Sequence, residues 1–148
     1  MKKMAVALLA GLALAQAGAT ELEWTTDLGK AQAKAKEENR LVLMDFTGSD
    51  WCPWCIKLRK EVFSTPDFTE YAKKNLVPVE IDFPNQKPQP SELKKANQAL
   101  KAKYRIQGYP TVIVLNSQGK KVGELNYEPG GPKPFIAKLE ALKAKEKP

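Results

Sequence analysis

Histidine is absent from this 148-residue chain, and cysteine occurs only twice. The lack of histidine removes the commonest general base and the commonest metal ligand. A zinc site needs about four ligands, so two cysteines would depend on carboxylates or on a second chain to complete one. Attachment of haem through the cysteine pair needs a histidine next to it, and that position holds Ile56. We therefore expect neither a metal ion nor a bound cofactor.

Long apolar runs are also absent after the first twenty residues. The chain opens with Lys2 and Lys3, and an uncharged apolar run over residues 5–15 follows. This run is too short to span a bilayer, and with its basic start it is typical of a secretory signal peptide. We therefore expect an exported protein, periplasmic or secreted.

Small residues after this run offer two cleavage positions, after Ala17 or after Ala19. We expect residues 1–19 to be the signal peptide and residues 20–148 to form a single domain with its own core. No cysteine lies near the cleavage positions, which argues against a lipid anchor. Since no later segment is apolar enough to be transmembrane, we expect no stable membrane insertion after cleavage.

Basic residues outnumber acidic ones, 24 against 17, which gives a formal net charge of +7. The lysines lie mainly in helix-like stretches such as KAQAKAKEENR and LKKANQALKAK, where they alternate with alanine and are accompanied by acids. This pattern favours a solvated helix face over a nucleic-acid site. We expect no nucleic-acid partner.

The order of apolar patterns along the chain predicts the fold class. In the first half we expect a helix from Asp27 to Asn39 capped by Asp27, a buried strand over 41–46, and a helix from the cysteines to about Phe63. A helix capped by Ser64 or Thr65 and a strand in LVPVEID should follow. The rest of the sequence predicts a helix capped by Ser91, a hairpin in YPTVIVLNSQGKKVGELNY, and a last helix from about Pro134 to Lys145. Strands separated by helices imply parallel pairing, whereas the hairpin adds antiparallel strands. The prediction is an α/β domain with a mixed central sheet and helices on both faces.

Both cysteines, Cys52 and Cys55, lie in the stretch FTGSDWCPWCIKL. If Cys52 begins a helix, Cys55 lies on the same face one turn along, and a disulfide can close between them. Pro53 suits the first turn, and the helix dipole favours the thiolate of Cys52. We predict that Cys52 is the exposed nucleophile and that Cys55 is the shielded resolving thiol. A purely structural disulfide is the alternative, although so short a loop removes little chain entropy.

Two segments, LVLMDFTGSDWCPWC and YRIQGYPTVIVLNSQGK, resemble the thioredoxin superfamily, and the resemblance extends over about residues 24–144. It implies the thioredoxin fold and a cis peptide bond before Pro110, close to the active-site sulfurs. It also implies that the backbone there pairs with an incoming peptide and that Tyr109 lines the same groove. The alternative for Pro110 is a trans proline that starts a strand.

Tryptophan flanks the first cysteine on both sides in a way that only partly follows the family. Trp51 before the motif is typical of the family. Trp54 is not, because the two residues between the cysteines are Gly-Pro in thioredoxin and Gly-His in disulfide isomerase, whereas here they are Pro-Trp. We assign both to the substrate-binding surface by resemblance. Trp54 either holds an apolar surface of a partner or folds back on the protein.

Asp45 resembles the buried acid that lies behind the cysteines in this family. By this resemblance its pKa is raised by burial, and it accepts the proton of the resolving thiol. The chain departs from thioredoxin in having one more residue between the acid and the cysteine, and in having Pro78 where a lysine is expected. The alternative is that Asp45 bonds to an N–H of a loop.

These features predict an exported thiol:disulfide oxidoreductase that forms a mixed disulfide at Cys52. Its expected partners are exported proteins with thiols or disulfides, and a redox partner protein that donates or accepts electrons. The lack of histidine between the cysteines favours a reductant or a modest exchanger. The alternative is a non-catalytic module that binds a peptide in the groove around Trp54, Tyr109 and Pro110.

Overall fold

The computed structural model describes residues 21–146, so the expected signal peptide and its cleavage positions lie outside the described residues. The elements are α1 (Leu28–Glu38), β1 (Leu41–Thr47), α2 (Pro53–Leu58), α3 (Pro66–Asn75), β2 (Leu76–Asp82), α4 (Ser91–Lys103), β3 (Thr111–Leu115), β4 (Lys121–Leu125) and α5 (Pro132–Lys145). A π-helical turn over Arg59–Phe63 continues α2. This is the predicted order of helices and strands. Within the described part of the chain, no helix is long and apolar enough to cross a membrane.

The four strands form one mixed sheet in the order β2-β1-β3-β4. β1 pairs in parallel with β2, because α2 and α3 carry the chain from one strand across to the start of the next. β1 pairs antiparallel with β3, and β3 pairs antiparallel with β4 through the hairpin. The mixed sheet predicted from the sequence is thus confirmed.

β1 lies in the middle of the core, and all seven of its residues are buried. Leu41 and Leu43 pack into the cluster that includes residues of α2, α3 and α5, whereas Val42 and Met44 pack into the cluster that includes residues of α1. Helices therefore cover both faces of the sheet, as predicted. Because side chains alternate along a strand, Asp45 faces the same side as Leu43, which is the side of α2.

The helix caps agree with the sequence predictions at two places and differ at one. Asp27 caps α1 by accepting the Lys30 N–H at 3.0 Å, and Thr65 caps α3. The predicted cap by Ser91 is wrong, because Ser91 is the first residue of α4 and Pro90 occupies the cap position without a side-chain hydrogen bond.

The last helix begins earlier than the sequence pattern predicts. α5 starts at Pro132 and not at about Pro134. Gly131 precedes α5 with a φ of 75°, a conformation that favours glycine. Proline is tolerated in the first helical turn because an N–H at that position would have no partner within the helix.

Candidate active site

Cys52 occupies the N-cap position of α2 and forms a disulfide with Cys55. Their Cα atoms are 5.2 Å apart, which is within the usual range for a disulfide. The Cys55 N–H donates to the Cys52 Sγ at 3.2 Å, and Pro53 is the first helical residue, as predicted. An otherwise unpaired N–H of the first turn therefore points at the Cys52 sulfur, an arrangement that in general favours a thiolate at a helix N-terminus.

The two cysteines are equally buried, each with 4% of its surface exposed. The expected difference in exposure is therefore absent in this disulfide form, because the bond ties the Cys52 side chain back onto the first turn. Their surroundings still differ, since the Cys55 Sγ accepts the Gly48 N–H at 3.5 Å. The roles of nucleophile and resolving thiol remain a prediction that rests on position.

Asp45 is 3% exposed, and its Oδ1 has no hydrogen-bond partner among the described residues. Burial raises the pKa of Asp45 to about 7, the positive charge of Arg59 opposes this rise, and the negative charges of Glu80 and Asp82 add to it. For Oδ1, the alternative of a bond to a loop N–H is therefore not realised. At neutral pH the carboxyl is divided between its neutral and charged forms.

Two charged residues that the sequence analysis missed accompany Asp45. Glu80 is its direct register partner across β1 and β2, and the Arg59 Nη2 lies 2.6 Å from the Glu80 Oε2. The family resemblance places a lysine at the position that Pro78 holds on β2, whereas the cation near Asp45 comes from the turn after α2. The spacing of Arg59, four residues after Cys55 and so on the same helix face, is the signal that could have indicated it.

Trp51, which directly precedes Cys52, is held by two contacts. Its Nε1 donates to the Phe83 carbonyl at 2.7 Å, and its ring meets the Tyr109 ring edge-on at a centroid distance of 5.8 Å. Gly48 leaves room for the indole, since a Cβ at that position would lie 2.4 Å from the ring. Trp51 is therefore fixed to the β2–α4 loop.

Asp50 ties the same active-site loop to the β2–α4 loop. Its carboxylate accepts the N–H groups of Asn85, Gln86 and Lys87 at 2.9, 2.8 and 2.8 Å. These bonds, that from Asn85 foremost, lower the pKa of Asp50. The Ser49 N–H donates to the Asp82 carboxylate at 3.0 Å. The loop TGSDW is thus anchored by the side chain of Asp50 and the backbone of Ser49.

An open groove of about 690 Å³ is lined by Trp54, Tyr109 and Pro110, and the bond between Tyr109 and Pro110 is cis. The Trp54 ring packs 5.4 Å from that of Tyr127, so it folds back on the protein, while 56% of the residue stays exposed. Contact of Trp54 with a partner stays a prediction. Trp51 does not line this groove. It lines a separate depression that shares Tyr109 with the groove.

Comparison with known proteins agrees with this geometry. A family model described as a thioredoxin-like domain matches residues 28–142. The disulfide bond reductase DsbH of Chlamydia pneumoniae is 35% identical over 123 residues, which cover 83% of this chain and 74% of that protein. A solved structure of a DsbH oxidoreductase has a TM-score of 0.78 at 34% identity, and the match covers 82% of this chain and 84% of that chain.

A second relative is much longer than the region it shares. The thioredoxin-related protein DsbJ of Chlamydia pneumoniae is 34% identical over 99 residues, which are 67% of this chain but 28% of that protein. The shared region is thus a domain-sized part of DsbJ. The chain described here belongs to the thioredoxin-like family, and its Cys52–Cys55 pair is that of a thioredoxin-like thiol:disulfide oxidoreductase.

Proposed function

We propose that this protein is exported and reduces disulfides of other exported proteins with its Cys52–Cys55 dithiol. The observation that carries the proposal is the redox pair at the start of α2, where Cys52 lies between Trp51 and Trp54. The signal-like start of the sequence supports export. The reducing direction is supported by the similarity to a protein named a disulfide bond reductase, and by the lack of histidine between the cysteines.

The exchange proceeds in two steps that balance in atoms and electrons. The Cys52 thiolate attacks one sulfur of the partner's disulfide, so that a Cys52–partner bond forms and the other partner sulfur leaves as a thiolate, which takes up a proton. The Cys55 thiolate then attacks the Cys52 sulfur, closes the internal disulfide and releases the second partner sulfur. Two electrons pass to the partner, and the dithiol of a redox partner protein restores the pair.

Asp45 accepts the proton of the Cys55 thiol in the second step. Its pKa of about 7 suits proton transfer at neutral pH, and its Oδ1 has no hydrogen-bond partner within the described residues and so can accept a proton. The Gly48 N–H, which faces the Cys55 Sγ, stabilises the thiolate formed there. Neither group needs a cofactor.

The groove receives the partner's chain. Tyr109 and Pro110 line the groove and offer their backbone to the partner, as the resemblance to the thioredoxin superfamily implies. The exposed part of Trp54 covers apolar side chains of the partner. Tyr127 supports Trp54 from behind, and the Lys57 Nζ lies 5.4 Å from the centre of the Trp54 ring.

The proposal is tested by insulin reduction in the presence of dithiothreitol, together with redox equilibrium in glutathione buffers. We expect accelerated insulin reduction and a potential nearer to about −270 mV than to about −120 mV, the values of thioredoxin and of a strong oxidant. Absence of acceleration would favour the non-catalytic binding module. A potential near the upper value would reverse the proposed direction.

A further inference from the structure

A depression of about 460 Å³ adjoins the active site and shares Tyr109 with the groove. Apart from Pro84, three kinds of side chain line it. They are the aromatic rings of Trp51, Phe83 and Tyr109, the amines of Lys87, Lys94 and Lys101, and the amides of Asn85, Gln89 and Gln98. Among residues 21–146, no acidic residue lines it. We call this surface the basic depression.

The cations of the basic depression come largely from one face of α4. Lys94, Gln98 and Lys101 follow one another at spacings of four and three residues, which places them on successive turns of the same helix face. The Lys101 Nζ lies 5.5 Å from the centre of the Phe83 ring and 5.2 Å from that of Tyr109. Contacts of this kind hold the ammonium at the depression.

These lysines differ from their neighbours in having no acid to neutralise them. Among residues 21–146, neither Lys94 nor Lys101 forms an ion pair, whereas Lys95 on the same helix pairs with Glu92 at 3.6 Å. Lys87 does have a partner, since its Nζ lies 3.2 Å from the Asp82 carboxylate. The basic depression therefore carries a positive charge beside the disulfide.

The acid next to the basic depression does not compensate this charge by an ion pair. The Asp50 carboxylate is occupied by three backbone N–H groups of the β2–α4 loop, and Asp50 is not part of the lining. Ammonium and amide N–H groups are hydrogen-bond donors, and carboxylates are acceptors only. The lining is thus complementary to carboxylates.

We propose that the basic depression binds an acidic segment of the partner protein, next to the disulfide that is exchanged. This inference rests on the proposed function and names its substrate class, which is disulfides flanked by aspartate or glutamate. Trp51 lines the basic depression and directly precedes Cys52, so a segment bound here lies next to the residue that adjoins the reacting cysteine. Complementary charge raises the rate of encounter and selects among partners.

The test uses three synthetic peptides that contain the same internal disulfide and differ only in the flanking residues, which are acidic, neutral amide or basic. The rate constant for reduction of each peptide is measured with protein that has been reduced beforehand. We expect the acidic peptide to react about tenfold faster than the neutral one at low ionic strength, and the basic peptide to react most slowly. Added salt should shrink the difference, because it screens the charges.

Two double variants that remove the same charge separate a local from a global effect. Lys94→Gln with Lys101→Gln should lower the acidic-to-neutral rate ratio several-fold. Lys95→Gln with Lys103→Gln, on the same helix but outside the lining, should leave most of it. If loss of Lys101 disturbs folding, as judged by thermal unfolding, the same comparison is made between two single variants, Lys94→Gln and Lys95→Gln.

Equal rates for the three peptides overturn the inference, and so do equal losses in both double variants, since the preference then comes from the net charge alone. A third outcome is that the Lys94→Gln, Lys101→Gln variant loses binding to anionic vesicles while its acidic-to-neutral rate ratio is unchanged. This result assigns the surface to a membrane and also overturns the inference. Reduction of none of the peptides refutes the proposed function. The inference is then decided by binding titrations with serine versions of the peptides, in which the acidic one must bind most tightly.

Discussion

Asp45 and Glu80 are direct register partners across β1 and β2, and Arg59 from the turn after α2 lies 2.6 Å from the Glu80 carboxylate. The chain thus places two acids and one cation on the sheet face that α2 covers. Burial raises the pKa of Asp45 to about 7, while Arg59 opposes and Glu80 reinforces the rise. The ionisation of Asp45 is therefore set first by its burial and then by charges from two other elements, the turn after α2 and β2.

Replacement of Asp45 by asparagine should slow the resolving step at neutral pH, because the Cys55 thiol loses its proton acceptor. A loss of about 10²-fold or more is typical when a positioned acid or base is removed. This step is measured as the decay of a preformed mixed disulfide at pH values between 6 and 9, with samples stopped by rapid acid quench. An unchanged decay across that range would leave Asp45 without a role in proton transfer.

The same substitution should change how stability depends on pH. Because the pKa of Asp45 is about 7 in the folded state and 3.8 in an ordinary aspartate, the folded state binds more protons between these values. The free energy of unfolding of the wild type should therefore fall as pH rises from about 4 to about 7, by up to about 4 kcal/mol at about 1.4 kcal/mol per pKa unit. Asp45→Asn should lack this component and be the more stable protein at pH 8. Urea unfolding of the oxidised wild type and the oxidised variant at pH 4 and pH 8 measures this difference. The same change in the free energy of unfolding between the two pH values in both proteins would contradict the prediction.

Arg59→Gln and Glu80→Gln should shift the pKa of Asp45 in opposite directions. Loss of the Arg59 cation raises this pKa, and loss of the Glu80 anion lowers it. Carboxyl carbon chemical shifts, followed by NMR titration, report the pKa directly. Arg59→Lys is the matched control, because it keeps the charge and should move the pKa least. Shifts of the same sign in the first two variants would remove the electrostatic account.

Gly48→Ala should destabilise the protein and slow disulfide exchange, because a Cβ would lie 2.4 Å from the Trp51 ring. Overpacking of this kind costs about 1–3 kcal/mol. Gly108→Ala is the control, since a Cβ there meets nothing within 4 Å, and a change within about 0.5 kcal/mol is expected. Denaturant unfolding measures both variants. Equal stabilities would show that Trp51 is free to move.

Local patterns were sufficient to predict the order of elements, the mixed sheet and the position of the cysteine pair. Apolar periodicity decides which segments are helices and strands, and Pro53 marks the start of α2. The features that the sequence did not reveal join distant segments. Asp50 bonds to N–H groups 35 to 37 residues away, and Arg59 reaches a strand that lies 21 residues further along the chain. Such contacts depend on how the elements pack, so no local pattern predicts them.

The equal burial of the two cysteines was likewise beyond prediction from position. Cys52 was expected to be exposed because it begins the helix, but its sulfur is bonded to that of Cys55 and lies within the first turn. The predicted difference between the two thiols therefore rests on their positions, since Cys52 is the N-cap of α2 and Cys55 lies one turn inside the helix.

Trapping of partners by single-cysteine variants tests the central claim, that Cys52 attacks and Cys55 resolves. Cys55→Ser keeps the nucleophile but lacks the resolving thiol, so it should accumulate disulfide-linked complexes with exported proteins that reductant releases. Cys52→Ser should yield almost none, because the remaining thiol lies one turn inside the helix. Non-reducing gels of cells that express each variant compare the two directly. The account predicts complexes with Cys55→Ser alone, and equal trapping by Cys52→Ser would contradict it.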